Sequence, residues 1–187
     1  MASAERAAQA RAKQLAVLTG WTGDSPPRLD WPAFDSAFGH VFPADFRSYV
    51  ELFPPGAFGM VNVFHPLEPW FEGDPRVYVE QLLARNDQVN DVEDRFRFRF
   101  GDQPGELIAW GTVNGEFELC WEITADPSDT WNCVVADVRG EDSESYHGGM
   151  LALLLDVVGG TGRIRSLDYL RGDPLMTFGR YGEPCSS

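Results

Sequence analysis

ELIAWGTVNGEFELCWEITADPSDTWNCVVADV, residues 106–138, is the stretch whose reading decides the fold. Leu107 to Trp110 form a short apolar run, and Asn114-Gly115 is the dipeptide that tolerates positive φ at both centres of a two-residue hairpin turn. Phe117, Leu119, Trp121 and Ile123 then alternate with Glu116, Glu118, Cys120 and Glu122, the period-two pattern of a half-buried strand. Asp126-Pro127 breaks that strand into a turn, and residues 131–138 read as a third strand. The stretch predicts three consecutive antiparallel strands whose tryptophans, Trp110, Trp121 and Trp131, are core side chains.

Outward from this meander, helix signals alternate with breakers. Residues 3–19 begin with Ser3 as a cap and Glu5 in the first turn, place Ala4, Ala8, Leu15 and Leu18 on one side, and stop at Gly20. Residues 21–32 hold Gly23, Pro26, Pro27 and Pro32, too many breakers for a regular element. A helical turn is expected over residues 32–38, and Pro43, as a first helical residue, opens a helix to Leu52 that Pro54-Pro55-Gly56 ends. Residues 58–64 read as one strand. Asp74-Pro75 caps a helix running to about Asn90, with Val79, Leu82 and Leu83 as its buried stripe. Residues 95–100 alternate arginine with phenylalanine, a strand with Arg95, Arg97 and Arg99 on one face, and residues 148–158 are nearly all apolar around their circumference, as in a core helix. The sum is an α+β fold in one domain over residues 1–187: an antiparallel sheet with helices on one face and at the ends, an N-terminal helix over 1–20, and a C-terminal extension over 164–187.

A chain of 187 residues with 43% apolar and 13% aromatic residues can bury one substantial core. It holds no apolar run long enough to span a bilayer. Its charged start lacks the apolar region of a secretory signal, so a cytoplasmic location is expected. Cys120, Cys133 and Cys185 are odd in number and lie in no CxxC pair, and His40, His65 and His147 share no ligand spacing. Free thiols, no metal site and no cofactor are therefore expected. Gly159-Gly160-Thr161-Gly162-Arg163 follows a helix and lacks the Lys-Ser/Thr of a phosphate loop, so it reads as a glycine C-cap. No G-x-S-x-G motif and no visible Cys/His pairing points to a nucleophile.

The formal net charge is −14. Phosphate backbones and anionic lipid would repel such a chain, which excludes nucleic acid and membrane surfaces as natural partners and favours a basic protein. Solubility alone is the competing explanation. Glu116, Glu118 and Glu122 form a ladder on one strand face that either neutralises the Arg95, Arg97 and Arg99 ladder or faces a partner. Residues 65–74, HPLEPWFEGD, put two adjacent aromatics among acids on a proline-rich connection, where Trp70 and Phe71 serve either as interface anchors or as a lid on the core.

Several motifs in order resemble a known family. They are Leu-Ile-x-Trp-Gly-Thr-x-Asn-Gly (Leu107 to Gly115), Cys120-Trp121, Asp126-Pro127, and Trp131 with its Val-Val strand. Ahead of them stand Phe38-Gly39, then Phe42-Pro43-Ala44-Asp45-Phe46 with Tyr49, Gly56 and Gly59, and after them the helix from Tyr146 to Gly160. Over roughly residues 20 to 160 the chain resembles the SUKH superfamily, which contains bacterial immunity proteins and a related fungal cell-wall regulator domain. The resemblance implies a non-enzymatic protein that binds and neutralises a cognate toxin, often a nuclease or a nucleic-acid deaminase. A regulatory scaffold without a toxin partner, or an enzyme acting on a small molecule between the sheet and the Trp70 loop, are the alternatives. The residues expected to bind a partner are Glu68, Trp70, Phe71, Glu72 and Asp74 on the loop, with Asp126, Asp129, Glu141, Asp142 and Glu144 on connections around the sheet. No catalytic residue is expected.

Overall fold

A computed structural model describes residues 2–71, 73–92, 99–139, 142–172 and 176–181. Helix α1 (Ala2–Thr19) leads to α2 (Trp31–Phe38) and α3 (Ala44–Val50), then to the short strands β1 (Gly56–Phe58) and β2 (Val61–Val63). Helix α4 (Pro75–Val92) precedes β3 (Leu107–Val113), β4 (Phe117–Glu122), β5 (Cys133–Asp137) and β6 (Ser143–Tyr146), and the order ends with α5 (Met150–Val158) and β7 (Phe178–Arg180). The strands form one sheet in the order β6-β5-β4-β3-β2-β1-β7, with every neighbouring pair antiparallel. The α+β class read from the sequence is the class observed. No helix among the described residues is long and apolar enough to cross a membrane.

The central hairpin forms as its turn chemistry dictates. Asn114 at φ 53° and Gly115 at φ 69° take the two left-handed positions that let a two-residue turn follow the strand twist. The pairing slips between Ala109 and Gly111, so Trp110 is the extra residue of a bulge. That bulge shifts the side-chain alternation, and Val113 therefore joins Ile108, Trp110, Leu119 and Trp121 in the main core. Gly111 is required beside it, because a Cβ there would lie 2.5 Å from the Asn62 carbonyl oxygen.

All five helices contribute to that main core. Trp31, Phe34 and Phe38 of α2, Phe46, Tyr49 and Val50 of α3, and Leu151, Leu153 and Leu154 of α5 are buried in it. Pro43 sits at the N-cap of α3, one residue ahead of the first helical position, where its fixed φ still starts the helix. In α1 the buried side is Ala8, Ala12, Leu15 and Ala16, whereas Leu18 is 48% exposed.

Two expectations are corrected. Residues 58–64 are not one strand: Gly59, at φ 57°, and Met60 turn the chain between β1 and β2. The β4 glutamates are read from the sequence either as neutralising the Arg95, Arg97 and Arg99 ladder or as facing a partner; Glu118 is buried and so does not face one. Cys120, Leu107, Ala109, Val134, Ala136 and Phe100 form a second, smaller apolar cluster on that strand face, and Glu118 is 2% exposed. Its partner is Arg85 of α4, at 2.5 Å, with the guanidinium also 4.8 Å from the Phe64 ring centre. Helix α4 thus puts Tyr78, Val79 and Leu82 into the main core while Arg85 reaches the opposite face of the sheet. Arg95 and Arg97 lie outside the described residues; Arg99 pairs with Glu106 at 3.4 Å.

Candidate functional site

The connection from β2 to α4 is built from below. Trp70 and Phe71 stand side by side yet separate: Phe71 is buried edge-on to Tyr78 at 5.2 Å, while Trp70 is 64% exposed. Of the two, Phe71 lies as a lid on the core and Trp70 does not. The Tyr78 hydroxyl donates to the Phe64 carbonyl at 3.0 Å, which fixes where the loop leaves the sheet. Asp74 closes the loop as the N-cap of α4, accepting the N–H groups of Arg76 at 2.8 Å and Val77 at 3.2 Å.

His65 and Glu68 form the underside. The Leu67 N–H donates to His65 Nδ1 at 3.0 Å, so Nε2 carries the proton that bonds the Phe53 carbonyl at 2.9 Å. With both nitrogens satisfied in the neutral ring, burial lowers its pKa to about 4. Glu68 is only 4% exposed and accepts the His65 N–H at 2.9 Å; burial raises its pKa to about 7. Tyr49, Tyr78 and Tyr181 face the same carboxyl, whose charge adds to the burial that raises each phenol's pKa. The hydroxyl of Tyr49 has no hydrogen-bond partner among the described residues. A buried polar bed therefore seats the loop, and the indole of Trp70 is presented from a fixed base.

The remaining acids divide between the two ends of the sheet. Val63 pairs with Gly111, Leu107 with Glu122 and Cys133 with Tyr146, so the Trp70 loop and the β4–β5 connection leave the same end. Asp126 and Asp129 are exposed on that connection. Asp129 also accepts the Ala44 N–H at 2.7 Å, serving the start of α3, and the Asp126 carbonyl accepts the Trp131 indole N–H at 3.2 Å. Asp142 precedes β6 at the opposite end, where Ser143 pairs with Ala136. Glu144 lies on the β6 edge and binds the backbone N–H groups of Arg165 and Ser166, both at 3.2 Å, holding the 3-10 segment Arg165–Leu170. Glu72 and Glu141 lie outside the described residues. Burial corrects two expectations: Glu68 and Phe71 are not available to a partner, because the loop folds them inward as its own support. Trp70, Asp74, Asp126 and Asp129 remain at one end.

Two structural acids were missed. Asp45 is buried and accepts the N–H groups of Leu151 at 3.2 Å and Phe46 at 2.8 Å, which ties α3 to the start of α5; burial raises its pKa. Nothing in the local sequence marks that partner 106 residues away. The Arg85–Glu118 pair is likewise visible only in three dimensions.

No group of three or more His, Cys, Asp or Glu side chains among the described residues is arranged to hold a metal ion. Cys120 and Cys133 are buried, and burial pushes both thiols well above their ordinary range. Gly160 and Thr161 close α5 by donating to the Val157 and Asp156 carbonyls at 3.1 and 3.0 Å, as expected of a C-cap. The depression beside it, lined by Asp156, Gly162, Arg163 and Arg171, encloses about 10 Å³, room for about one water molecule. Comparison with protein-family models, with curated proteins and with solved structures finds no match to this chain.

Proposed function

We propose that this chain is a non-enzymatic, protein-binding immunity protein that neutralises a basic toxin domain, such as a nuclease or deaminase, in the cytoplasm. The observation that carries the reading is Trp70, an indole 64% exposed on a loop whose His65, Glu68 and Phe71 are buried as its foundation. A large aromatic held in place loses little freedom when a partner covers it, which is the character of an interface anchor. Asp74, Asp126 and Asp129 stand at the same end of the sheet, and the net charge of −14 gives the whole molecule a field that draws in a basic surface. A nucleic-acid-processing toxin must present such a surface to its own substrate. The resemblance of residues 20–160 to the SUKH superfamily points the same way.

The test is binding kinetics against the toxin encoded beside this gene, together with growth of cells expressing that toxin. Trp70→Ala is expected to speed dissociation at least tenfold with little change in association. Replacing Asp74, Asp126 and Asp129 together by asparagine keeps the helix-capping oxygens while removing three charges, and is expected to slow association at low salt. Failure to rescue growth despite binding would mark a scaffold. Absence of binding at micromolar concentration would overturn the reading.

A further inference from the structure

Strand β7 is held differently from the rest of the sheet. Among the described residues it pairs only with β1, through Gly56 with Arg180, Ala57 with Gly179 and Phe58 with Phe178, and it forms an outer edge. Phe178 is half-buried while Gly179 and Arg180 are exposed, whereas β5 is buried along its whole length. The deep attachment is one ring. Phe178 enters a socket made by Trp21, Phe53 and Phe58, with ring centres 4.9, 5.0 and 5.1 Å away. Tyr181 adds a backbone bond to the Pro55 carbonyl at 3.2 Å and a hydroxyl bond to Asn62 Oδ1 at 3.0 Å.

The receiving side is built into the body of the fold. Phe53 and Phe58 belong to the main core, and the Trp21 indole N–H donates to the Leu52 carbonyl at 3.2 Å. Gly56 permits the close approach, because a Cβ there would lie 2.4 Å from the Gly179 carbonyl oxygen and 2.5 Å from the Phe178 ring. Met176, buried in the same core, tethers the chain just ahead of β7, so displacement need involve only the residues after it.

We infer that the β1 edge and the Trp21–Phe53–Phe58 socket form a strand-addition site for an extended protein segment of the pattern aromatic-x-x-Tyr, docked in place of β7. The chain fills that site with its own Phe178 to Tyr181. An edge strand offers a row of backbone donors and acceptors to any extended chain, and a side-chain pocket beside it supplies the selectivity. The tethered native strand acts as an internal competitor, so the apparent affinity for a partner is that of the open edge multiplied by the fraction of time that the edge is open. The inference does not rest on the toxin-neutralising reading, although Tyr181 also faces Glu68, so opening the edge takes one phenol from the bed beneath the Trp70 loop.

The experiment uses the full chain and a fluorescently labelled peptide with the sequence of residues 176–181, followed by anisotropy. Phe178→Ala removes the anchor of the native strand, and the peptide is expected to bind this variant at least tenfold more tightly than the unaltered chain. Ala57→Cys with Gly179→Cys, in a Cys185→Ser background, places thiols on directly opposed residues and locks β7 by a disulfide. The locked form should take no peptide and should recover binding under reductant, and a peptide with alanine in place of its phenylalanine should bind neither form. Equal binding by the locked and reduced forms overturns the inference, as does absence of binding by both the reduced form and the Phe178→Ala variant at millimolar peptide. If Phe178→Ala does not fold by circular dichroism, the locked and reduced forms decide the matter between them.

Discussion

Replacing Glu68 by glutamine tests the buried bed beneath the Trp70 loop. The amide can still accept the His65 N–H, and it copies the neutral carboxyl in size and shape. Glu68 titrates near 4.5 when unfolded and near 7 when folded, so the folded state holds a proton that the unfolded state has already lost between these values. Stability from this group is therefore complete below about pH 4.5 and is lost as pH rises to about 7. At about 1.4 kcal/mol per pH unit the gap amounts to about 3 kcal/mol at most, of which about 2 kcal/mol is expected because a compact denatured chain already desolvates part of the carboxyl. His65 has the opposite sign. Its pKa falls from 6.5 to about 4, so its contribution is complete above about pH 6.5 and is lost as pH falls to about 4. Between these limits the two slopes oppose each other, and the phenols of Tyr49, Tyr78 and Tyr181 stay protonated because burial raises them further. Glu68→Gln removes the falling slope and exposes the rising one. In urea titrations the variant should gain about 2 kcal/mol over the native chain between pH 4.5 and pH 8, a midpoint displacement of about 1 M. A difference between the two proteins that does not change with pH would refute the reasoning, since Glu68 would then titrate alike folded and unfolded.

Three further outcomes are expected. Trp121→Ala should cost about 3 to 5 kcal/mol in denaturant titration, because the ring is buried among Phe42, Phe46 and Trp110; Trp121→Phe should cost less, since the indole N–H has no hydrogen-bond partner among the described residues. Arg85→Met should cost about 2 to 3 kcal/mol at neutral pH by leaving Glu118 buried without its cation, and adding Glu118→Met should recover most of that loss, with the coupling read from a double-mutant cycle. Asp129→Ala should cost about 1 kcal/mol by removing the acceptor at the start of α3, whereas Asp129→Asn should cost only a few tenths, both measured from urea midpoints.

The parts of the fold legible in the sequence are those in which local chemistry and burial agree. Asn114-Gly115 has one good use, Asp74 is followed by a proline and a periodic helix, and 148–158 has only Asp156 as a polar residue to turn outward. The edge strands were not legible for the same reason: Ser143 to Tyr146 is polar on both sides and Phe178 to Arg180 is three residues long, so neither carries a period. The β1–β2 turn was hidden by flanking apolar residues, and Gly59 was its one signal. At the candidate site, the acidic and aromatic character of the loop was readable from residue types alone. Which of two adjacent aromatics points inward was not, because that depends on Tyr78 arriving from α4 to receive Phe71. Glu68 was misplaced on the surface because its acceptance of the His65 N–H, three residues back, is a turn geometry that composition does not encode.

The distribution of the acids explains why the candidate surface lies at strand ends. One face of the sheet is covered by the helices, part of the other by the second apolar cluster with Arg85 over Glu118, and the edges are occupied by β7 and by β6 with its Glu144-bound 3-10 segment. Connections at the ends remain, and there the exposed Trp70 stands among acids that also serve the fold. Asp74 and Asp129 each hold a helix start, so their positions are set by backbone bonds and not by flexible side chains. Carboxylates fixed in this way lose little entropy when a cationic surface approaches. Both accept from neutral N–H groups, and neither has an ion-pair partner among the described residues, so no cation already occupies them before that encounter. Capping and attraction are then the same property used twice, which is why asparagine, which preserves the first and removes the second, separates folding from binding at these positions.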